Sequence, residues 1–586
     1  MISGGHLLVH CLEAQGVDRV FCVPGESYLE VLDGLHDSSI QTIVARHEGG
    51  AAMMAEADGK LTGRPGIVMV TRGPGAANAA AGVHVAQQDS TPLVLFIGQV
   101  ARGTVGRDAF QEVDYRGMYG SMAKAVVQIE DVKRIPEIVS RAFHLALSGR
   151  PGPVVIALPE DMLKDHAGDP APIPAAGVSA PWPSPAELNR CARMLGSAER
   201  PFLLLGGSRW AAEDVEAVKR FAGSWHLPVG CEFRRQMLFD PLHPNYAGDV
   251  GLGINPELAR RIKHSDVLIL LGGRLPELAS GRYTLVDVPR PAQTLIHIHP
   301  GSEELGRVYA AQLEINASPG NFLAAINELP APAPDASRAA EIDAAHCGYV
   351  EWSTPRPLSG ARVDTGQIIR WLREHLPEDA IVTNGAGNHT QWLHRFYHYR
   401  RFGTQLAPTS GSMGYGLPAA IAAKLRYPDR TVVCVSGDGC LQMSAMELAG
   451  AVQFNAPVIV LVFDNRMHGT IRMHQERDHP GRVFATDLDN PDFNAMARAF
   501  GAHGESVAST GEFEPAFNRA LASGKPAFIH IHTDAVTPGA AGGTGNGVPG
   551  VGRNSFRLET IVGMNSDPQS GRSSADDTRN VTRKPS

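Results

Sequence analysis

Residues 432–465 read VVCVSGDGCLQMSAMELAGAVQFNAPVIVLVFDN. The stretch opens on an apolar, β-branched run ending at Ser436 and turns at Gly437-Asp438-Gly439. It continues with helical spacing and returns as a second apolar run, Val458 to Phe463. This pattern predicts strand, turn, helix and strand, with Asp438 at the end of one strand and Asn465 just past the end of the next. A right-handed parallel crossover places both strand ends at the same edge of one sheet. Two oxygen-bearing side chains distant in sequence are thereby brought together. A lone Gly-Asp-Gly is an ordinary turn. Here strands, glycines and Asn coincide, and hard oxygen ligands beside glycines suit Mg2+ holding a diphosphate.

Working outward, 586 residues are too many for one core and point to three domains. A net charge of −8, with no basic run, argues against a nucleic-acid partner. No apolar run reaches membrane-spanning length, and the N-terminus lacks the basic-then-apolar order of a signal peptide. The seven cysteines are scattered with no CxxC pair, which fits a reducing compartment; a cytoplasmic location is expected.

Three α/β domains are predicted, each a doubly wound parallel sheet. The first covers residues 1–165, with strands at Val20–Val23, Thr42–Ala45, Gly66–Thr71, Pro92–Ile97 and Pro153–Leu158. Residues 165–185 are rich in Pro, Ala, Gly and Ser and read as a linker. The second domain, 190–330, has strands at Phe202–Leu205, Val267–Leu271 and Thr294–Ile298. The run PAPAP at 330–334 predicts another linker, crossing the surface to about Leu358. The third domain, 365–534, has strands at Ala380–Thr383, Thr431–Val435, Val458–Phe463 and Ala527–Ile531. Residues 535–586 have too little apolar surface to offset ordering entropy and are expected to be disordered, apart from a short piece at Phe556–Met564; a tail closing over the site is the alternative.

The Gly437–Asn465 pattern resembles the signature of thiamine-diphosphate (ThDP) enzymes. Other segments carry the same resemblance: RHEGGAAMMAEADGK around Glu48, RDAFQEVDYRGM around Phe110 and Gln111, and TSGSMGYGLPAA from Thr409. Within that family, the catalytic subunits of acetolactate synthases look closest, with a pyruvate-oxidase-like fold of pyrimidine-binding, central and diphosphate-binding domains. By resemblance, Glu48 bonds the aminopyrimidine ring and activates the cofactor, while Gln111 and Phe110 line the substrate pocket. Gly25 lies in the loop facing the reacting centre. Gly411 offers its carbonyl to the cofactor's amino group, and Met413 holds the cofactor bent. Asp438, Asn465 and the carbonyl of Met467 are the implied Mg2+ ligands. Asn388, His389, Gly437, Gly439, Cys440 and Gly469 frame the diphosphate.

Several positions depart from the synthase pattern. Glu26 stands where a glycine is usual, Asn388 where a glutamine is, and His474 where biosynthetic synthases have a tryptophan. The Asn388 exchange keeps an amide donor; the other two bear on acceptor choice. In the central domain Gly206-Gly207-Ser208 and Gly272-Gly273-Arg274 resemble the glycine turn and arginine segment that bind FAD. Leu275-Pro276-Glu277 and the His297–His299 pair depart from it. FAD, an ADP-type ligand and an empty site all stay open for this domain. The two histidines at alternate strand positions share a face, as a metal pair or as satisfied core residues.

The resemblance implies ThDP- and Mg2+-dependent decarboxylation of a 2-oxo acid, pyruvate first, with ligation of the two-carbon unit to a second carbonyl compound. A simple decarboxylase, a C–C-cleaving hydrolase or lyase acting on a dione or acyloin, and a non-catalytic ThDP-binding partner subunit are the alternatives. A homodimer or homotetramer is implied, with a regulatory subunit as a further partner.

Overall fold

Apolar runs bounded by glycine and proline become parallel strands in each third of the chain. The structure, a computed structural model, describes residues 2–168, 171–333 and 336–534. The first sheet comprises β1 (Arg19–Cys22), β2 (Gln41–Val44), β3 (Gly66–Val70), β4 (Leu93–Gln99), β5 (Ala125–Gln128) and β6 (Pro153–Pro159), in the order β2-β1-β3-β4-β6-β5. The central sheet comprises β7 (Pro201–Leu205), β8 (Val229–Cys231), β9 (Tyr246–Asp249), β10 (Val267–Leu271), β11 (Thr294–His299) and β12 (Leu313–Asn316), ordered β12-β11-β10-β7-β8-β9. The third comprises β13 (Ile381–Asn384), β14 (Gln405–Leu406), β15 (Val432–Gly437), β16 (Ile459–Asp464), β17 (His503–Val507) and β18 (Ala527–His532), ordered β14-β13-β15-β16-β18-β17. The first and third sheets share one topology; the central sheet has another. The three doubly wound α/β sheets are as expected.

Alternate strand residues feed cores on opposite faces. In β4, Leu93, Leu95 and Ile97 join one apolar cluster, and Val94 and Phe96 join another. Burial on both faces is why these strands read as continuous apolar runs rather than alternating ones. One cluster belongs to the first and third sheets together: Val68 and Leu95 share it with Val460 and Phe528 through the helices Glu48–Thr62, Pro74–Asp89 and Gly416–Arg426. The small residues of Glu48–Thr62 and Pro74–Asp89 let these helices approach closely; a Cβ on Gly82 would overlap Ala52.

A buried ionic network ties all three sheets. Lys60 pairs with Glu56 at 3.1 Å and Asp89 at 3.2 Å, and Arg235 of the central domain reaches Asp89 at 3.0 Å. Tyr415 of the third domain donates to Glu56 at 2.6 Å.

Two expectations need correction. The stretch after the proline run is not wholly a surface linker: Ala336–Trp352 is a helix. It buries Arg338, Ile342, Ala345 and Tyr349, which recur at helical spacing, so packing on the central domain orders it. The sequence reading also omitted β5, β8, β9, β12, β14 and β17, most of them short or at sheet edges. From Ala167 to Ser184 the described residues form no helix or strand. The expectations for 535–586 lie outside the described residues. Among the described residues no helix is long and apolar enough to cross a membrane.

Candidate cofactor site

The register of β15 against β16 pairs Gly437 with Phe463, so Asp438 and the Asp464-Asn465 pair leave the sheet at one carboxyl edge. Asp438 is buried and opens the short helix Asp438–Gln442. Asn490, which sequence reasoning missed, donates from Nδ2 to Asp438 Oδ2 at 2.7 Å and to Asp464 Oδ1 at 2.8 Å. Burial pushes Asp438 up to about 6, and the neighbouring Asp464 charge adds to the effect. Burial also opposes the Asp464 charge, but the bonds from His530 and Asn490 outweigh it and hold this carboxyl low. The expected donors at this edge are all oxygen: the Asp438 carboxylate, the Asn465 amide, whose Oδ1 accepts the Met467 N–H at 3.2 Å, and the Met467 carbonyl, which accepts the Gly469 N–H at 2.9 Å. That chemistry fits Mg2+, and a divalent cation would relieve the buried carboxylate pair.

The other expected residues of this half gather around the same edge. Asn388 Oδ1 accepts from Thr470 Oγ1 at 2.8 Å. A Cβ on Gly469 would stand 3.0 Å from Asn465 Nδ2, and one on Gly437 2.9 Å from His389 Nδ1. Both glycines therefore permit a close approach that a side chain would block. His389 is held down to about 3, first by removal from water and then by Arg234. Its Nε2 is out of solvent and has no hydrogen-bond partner, as is Ser444 Oγ. Orphaned buried polar atoms beside bare glycine backbone fit a polar ligand such as a diphosphate. The segment with Gly411 and Met413 joins through Gly414, whose N–H donates to Cys440 Sγ at 3.4 Å.

A second cluster sits at the carboxyl edge of the first sheet. Glu48 opens its helix half-buried, and its Oε2 accepts from Asn78 Nδ2 at 2.9 Å. Gly25 packs on Thr71 so closely that a Cβ would overlap it. Phe110 and Gln111 lie in a turn, and Gln111 has φ of 66°. Arg72, which no motif marked, organises this corner. It donates to the Phe110 carbonyl at 3.2 Å, to Glu26 at 3.3 Å and to Glu160 at 3.0 Å. Glu447 of the third domain was also missed. Its buried carboxylate accepts the Arg46 and His47 N–H groups just ahead of Glu48, at 3.1 and 3.0 Å. Only the local signals of a basic residue after β3 and a glutamate in a buried turn could have raised these two.

Glu48 and Asp438 stand at the edges of different sheets. Among the described residues no hydrogen bond or ion pair joins Glu48 to Asp438, Asn465 or Asn388; the link between the two neighbourhoods is Glu447, whose N–H donates to the Ser444 carbonyl at 3.0 Å. In the His297–His299 pair, His299 Nδ1 meets the Gly301 backbone and His297 Nε2 meets the Gly273 carbonyl, each at 3.0 Å, while His297 Nδ1 is buried with no hydrogen-bond partner. One group among the described residues has metal-like spacing, Asp464, His530 and His532, with ligand atoms within 4.8 Å. These side chains are already bonded, His530 to Asp464 at 2.8 Å and His532 to Ser506 at 3.0 Å.

Comparison with known proteins matches all three parts of the chain. Residues 2–118 match the thiamine pyrophosphate enzyme N-terminal TPP binding domain, 188–326 the central domain and 385–531 the C-terminal TPP binding domain. The chain is 31% identical to the acetolactate synthase isozyme 2 large subunit of Escherichia coli over 540 residues, covering 91% of this chain and 96% of that one. It is 30% identical to the isozyme 3 large subunit of the same organism, covering 89% and 92%. With the mitochondrial acetolactate synthase catalytic subunit of Saccharomyces cerevisiae it shares 28% identity, covering 93% and 83%.

Proposed function

The chain belongs to the thiamine pyrophosphate (thiamine diphosphate) enzymes and is acetolactate synthase-like; from that premise we propose that it decarboxylates pyruvate or a related 2-oxo acid and joins the two-carbon unit to a second carbonyl compound, with Mg2+ anchoring the cofactor. The observation that carries this reading is the presence on one chain of two complementary half-sites. One is a buried cradle of oxygens and glycines around Asp438. The other is Glu48, with one carboxylate oxygen spent on Asn78 and one left over.

In this reading Asp438, Asn465 and the Met467 carbonyl hold Mg2+. Asn388, His389, Gly437, Gly439, Cys440 and Gly469 face the diphosphate. Gly411 and Met413 orient the cofactor's middle, and Gly25 and Glu48 meet its pyrimidine end. When bound, thiamine diphosphate supplies a carbon nucleophile and an electron sink for loss of CO2. Glu48 exchanges a proton with the pyrimidine through its free oxygen. Gln111 donates to the substrate, and Phe110 walls the pocket.

Because Glu48 and Asp438 stand at the edges of different sheets, a second copy of the chain completes each site. Large apolar side chains left open support such a dimer or a tetramer: Phe110 is 72% exposed, Met443 61% and Phe484 80%. The relatives called large subunits make a regulatory subunit part of the proposal. A cytoplasmic site of action is also proposed, supported by seven unpaired thiols.

A second reading is favoured by Glu26. Its carboxylate, 66% exposed, shares Arg72 with Glu160, so the corner keeps surplus negative charge. That charge disfavours an anionic acceptor and favours an aldehyde or a proton in its place. Turnover of pyruvate alone with ThDP and Mg2+ decides. Accumulation of 2-acetolactate is the expected result. Acetaldehyde alone would make the chain a decarboxylase, and no turnover would sink the pyruvate reading.

A further inference from the structure

The central sheet has the strand order that binds dinucleotides in doubly wound folds, with its switch point between β7 and β10. The crevice outside those strand ends is where a pyrophosphate would sit, on glycine turns with outward N–H groups. The turns are present as Gly206-Gly207 and Gly272-Gly273. The space is not. The two turns touch, since a Cβ on Gly207 would overlap the Gly272 carbonyl and one on Gly272 would stand 2.8 Å from the Gly206 carbonyl.

Glu232, directly after β8, fills what remains. A Cβ on Gly206 would overlap its carboxylate, and one on Gly273 would lie 2.5 Å from its Oε1. Glu232 is buried, and Oε1 accepts the Leu275 N–H at 2.5 Å. Trp210 closes one side by donating to the Gly206 carbonyl at 2.8 Å. Arg235 closes another by donating to the Gly207 carbonyl at 2.8 Å. Arg274, which the resemblance placed on a flavin, instead donates to the Gln88 carbonyl at 2.9 Å. Glu232 thus takes with its own carboxylate the Leu275 N–H and the neighbouring charges of Arg274 and Arg235. Adding a second anion beside a buried carboxylate, where water cannot screen them, is strongly repulsive.

We infer that the central domain takes neither FAD nor an ADP-type ligand, because Glu232 serves as a built-in anion that plugs the dinucleotide crevice. The chain keeps the fold of a nucleotide domain, with the crevice at its switch point taken up by its own side chain. The residues do not fit a flavin, and no step of the proposed reaction is assigned to one.

The test uses the full chain saturated with ThDP and Mg2+, so that the diphosphate cradle near Asp438 is already filled. Its absorption spectrum as purified and the flavin released by acid are measured first. Calorimetric titrations with FAD and with ADP follow. The expected outcome is a colourless protein, no released flavin and no saturable heat with either ligand. Flavin approaching one per chain, or saturable binding of FAD or ADP, would overturn the inference. These readouts need no turnover, so a failed pyruvate assay leaves them interpretable, and an active enzyme does not guarantee them.

Discussion

Asn78 bonds one oxygen of Glu48 at 2.9 Å and leaves the other for a ligand. A glutamine at this position keeps the size and the amide partner but cannot take a proton. Glu48→Gln should therefore lower kcat by about 100- to 10,000-fold, the usual worth of a positioned acid–base group. Cofactor affinity, followed by quenching of intrinsic tryptophan fluorescence, should change little. Activity kept within a few fold of the parent would mean that Glu48 is not the proton-exchanging group. Residues of this kind could be proposed from the sequence because they sit in runs that carry the family resemblance, as in RHEGGAA or SGDGC. Arg72, Asn490 and Glu232 could not. Each is a single polar residue whose meaning comes from what the fold brings to it, and nothing in its own spacing marks it.

At the scale of elements, the start of the helix Glu48–Thr62 depends on a residue from another domain. Glu447 accepts the N–H groups of Arg46 and His47 there, and Gly50 leaves no room for a Cβ beside it. Burial, the largest influence, raises its carboxyl from 4.5 to about 7; the backbone bonds oppose the shift only in part. The folded chain thus holds a proton that the unfolded chain has released, so stability from this group is complete below about pH 4.5 and is lost as the pH rises through about 7. The loss amounts to about 3 kcal/mol. Glu447→Gln, neutral at every pH, should remove that slope from urea-unfolding midpoints measured across the interval. An unchanged slope would show that the carboxyl titrates normally. Elements themselves were legible where both faces are buried, as in β4 and β16. They were missed where strands are short, as with β14, or where proline drew attention from a helical period, as in Ala336–Trp352.

At the scale of the molecule, the first and third sheets share one strand order and one apolar core, and each carries its own candidate site residues at its carboxyl edge. Glu48 stands on one edge and Asp438 on the other, with no bond between the two residues; under the proposed dimer, one chain alone is incomplete. If two copies complete each other, every site takes Glu48 from one chain and Asp438 from its partner. This arrangement can be tested with two variants that are each inactive, Glu48→Gln and Asp438→Asn. In a mixed dimer one site receives both substitutions and the other receives neither. Random reassociation of equal amounts makes half of the dimers mixed, so activity should return to about a quarter of the parent value. Sites built within single chains would instead stay silent in any mixture, because every chain would carry one lesion. Dissociation and reassociation of the two purified variants, followed by the pyruvate assay, separates these outcomes. Recovery that requires reassociation would assign the halves to different chains; a mixture as inactive as its components would place Glu48 and Asp438 in one chain's site.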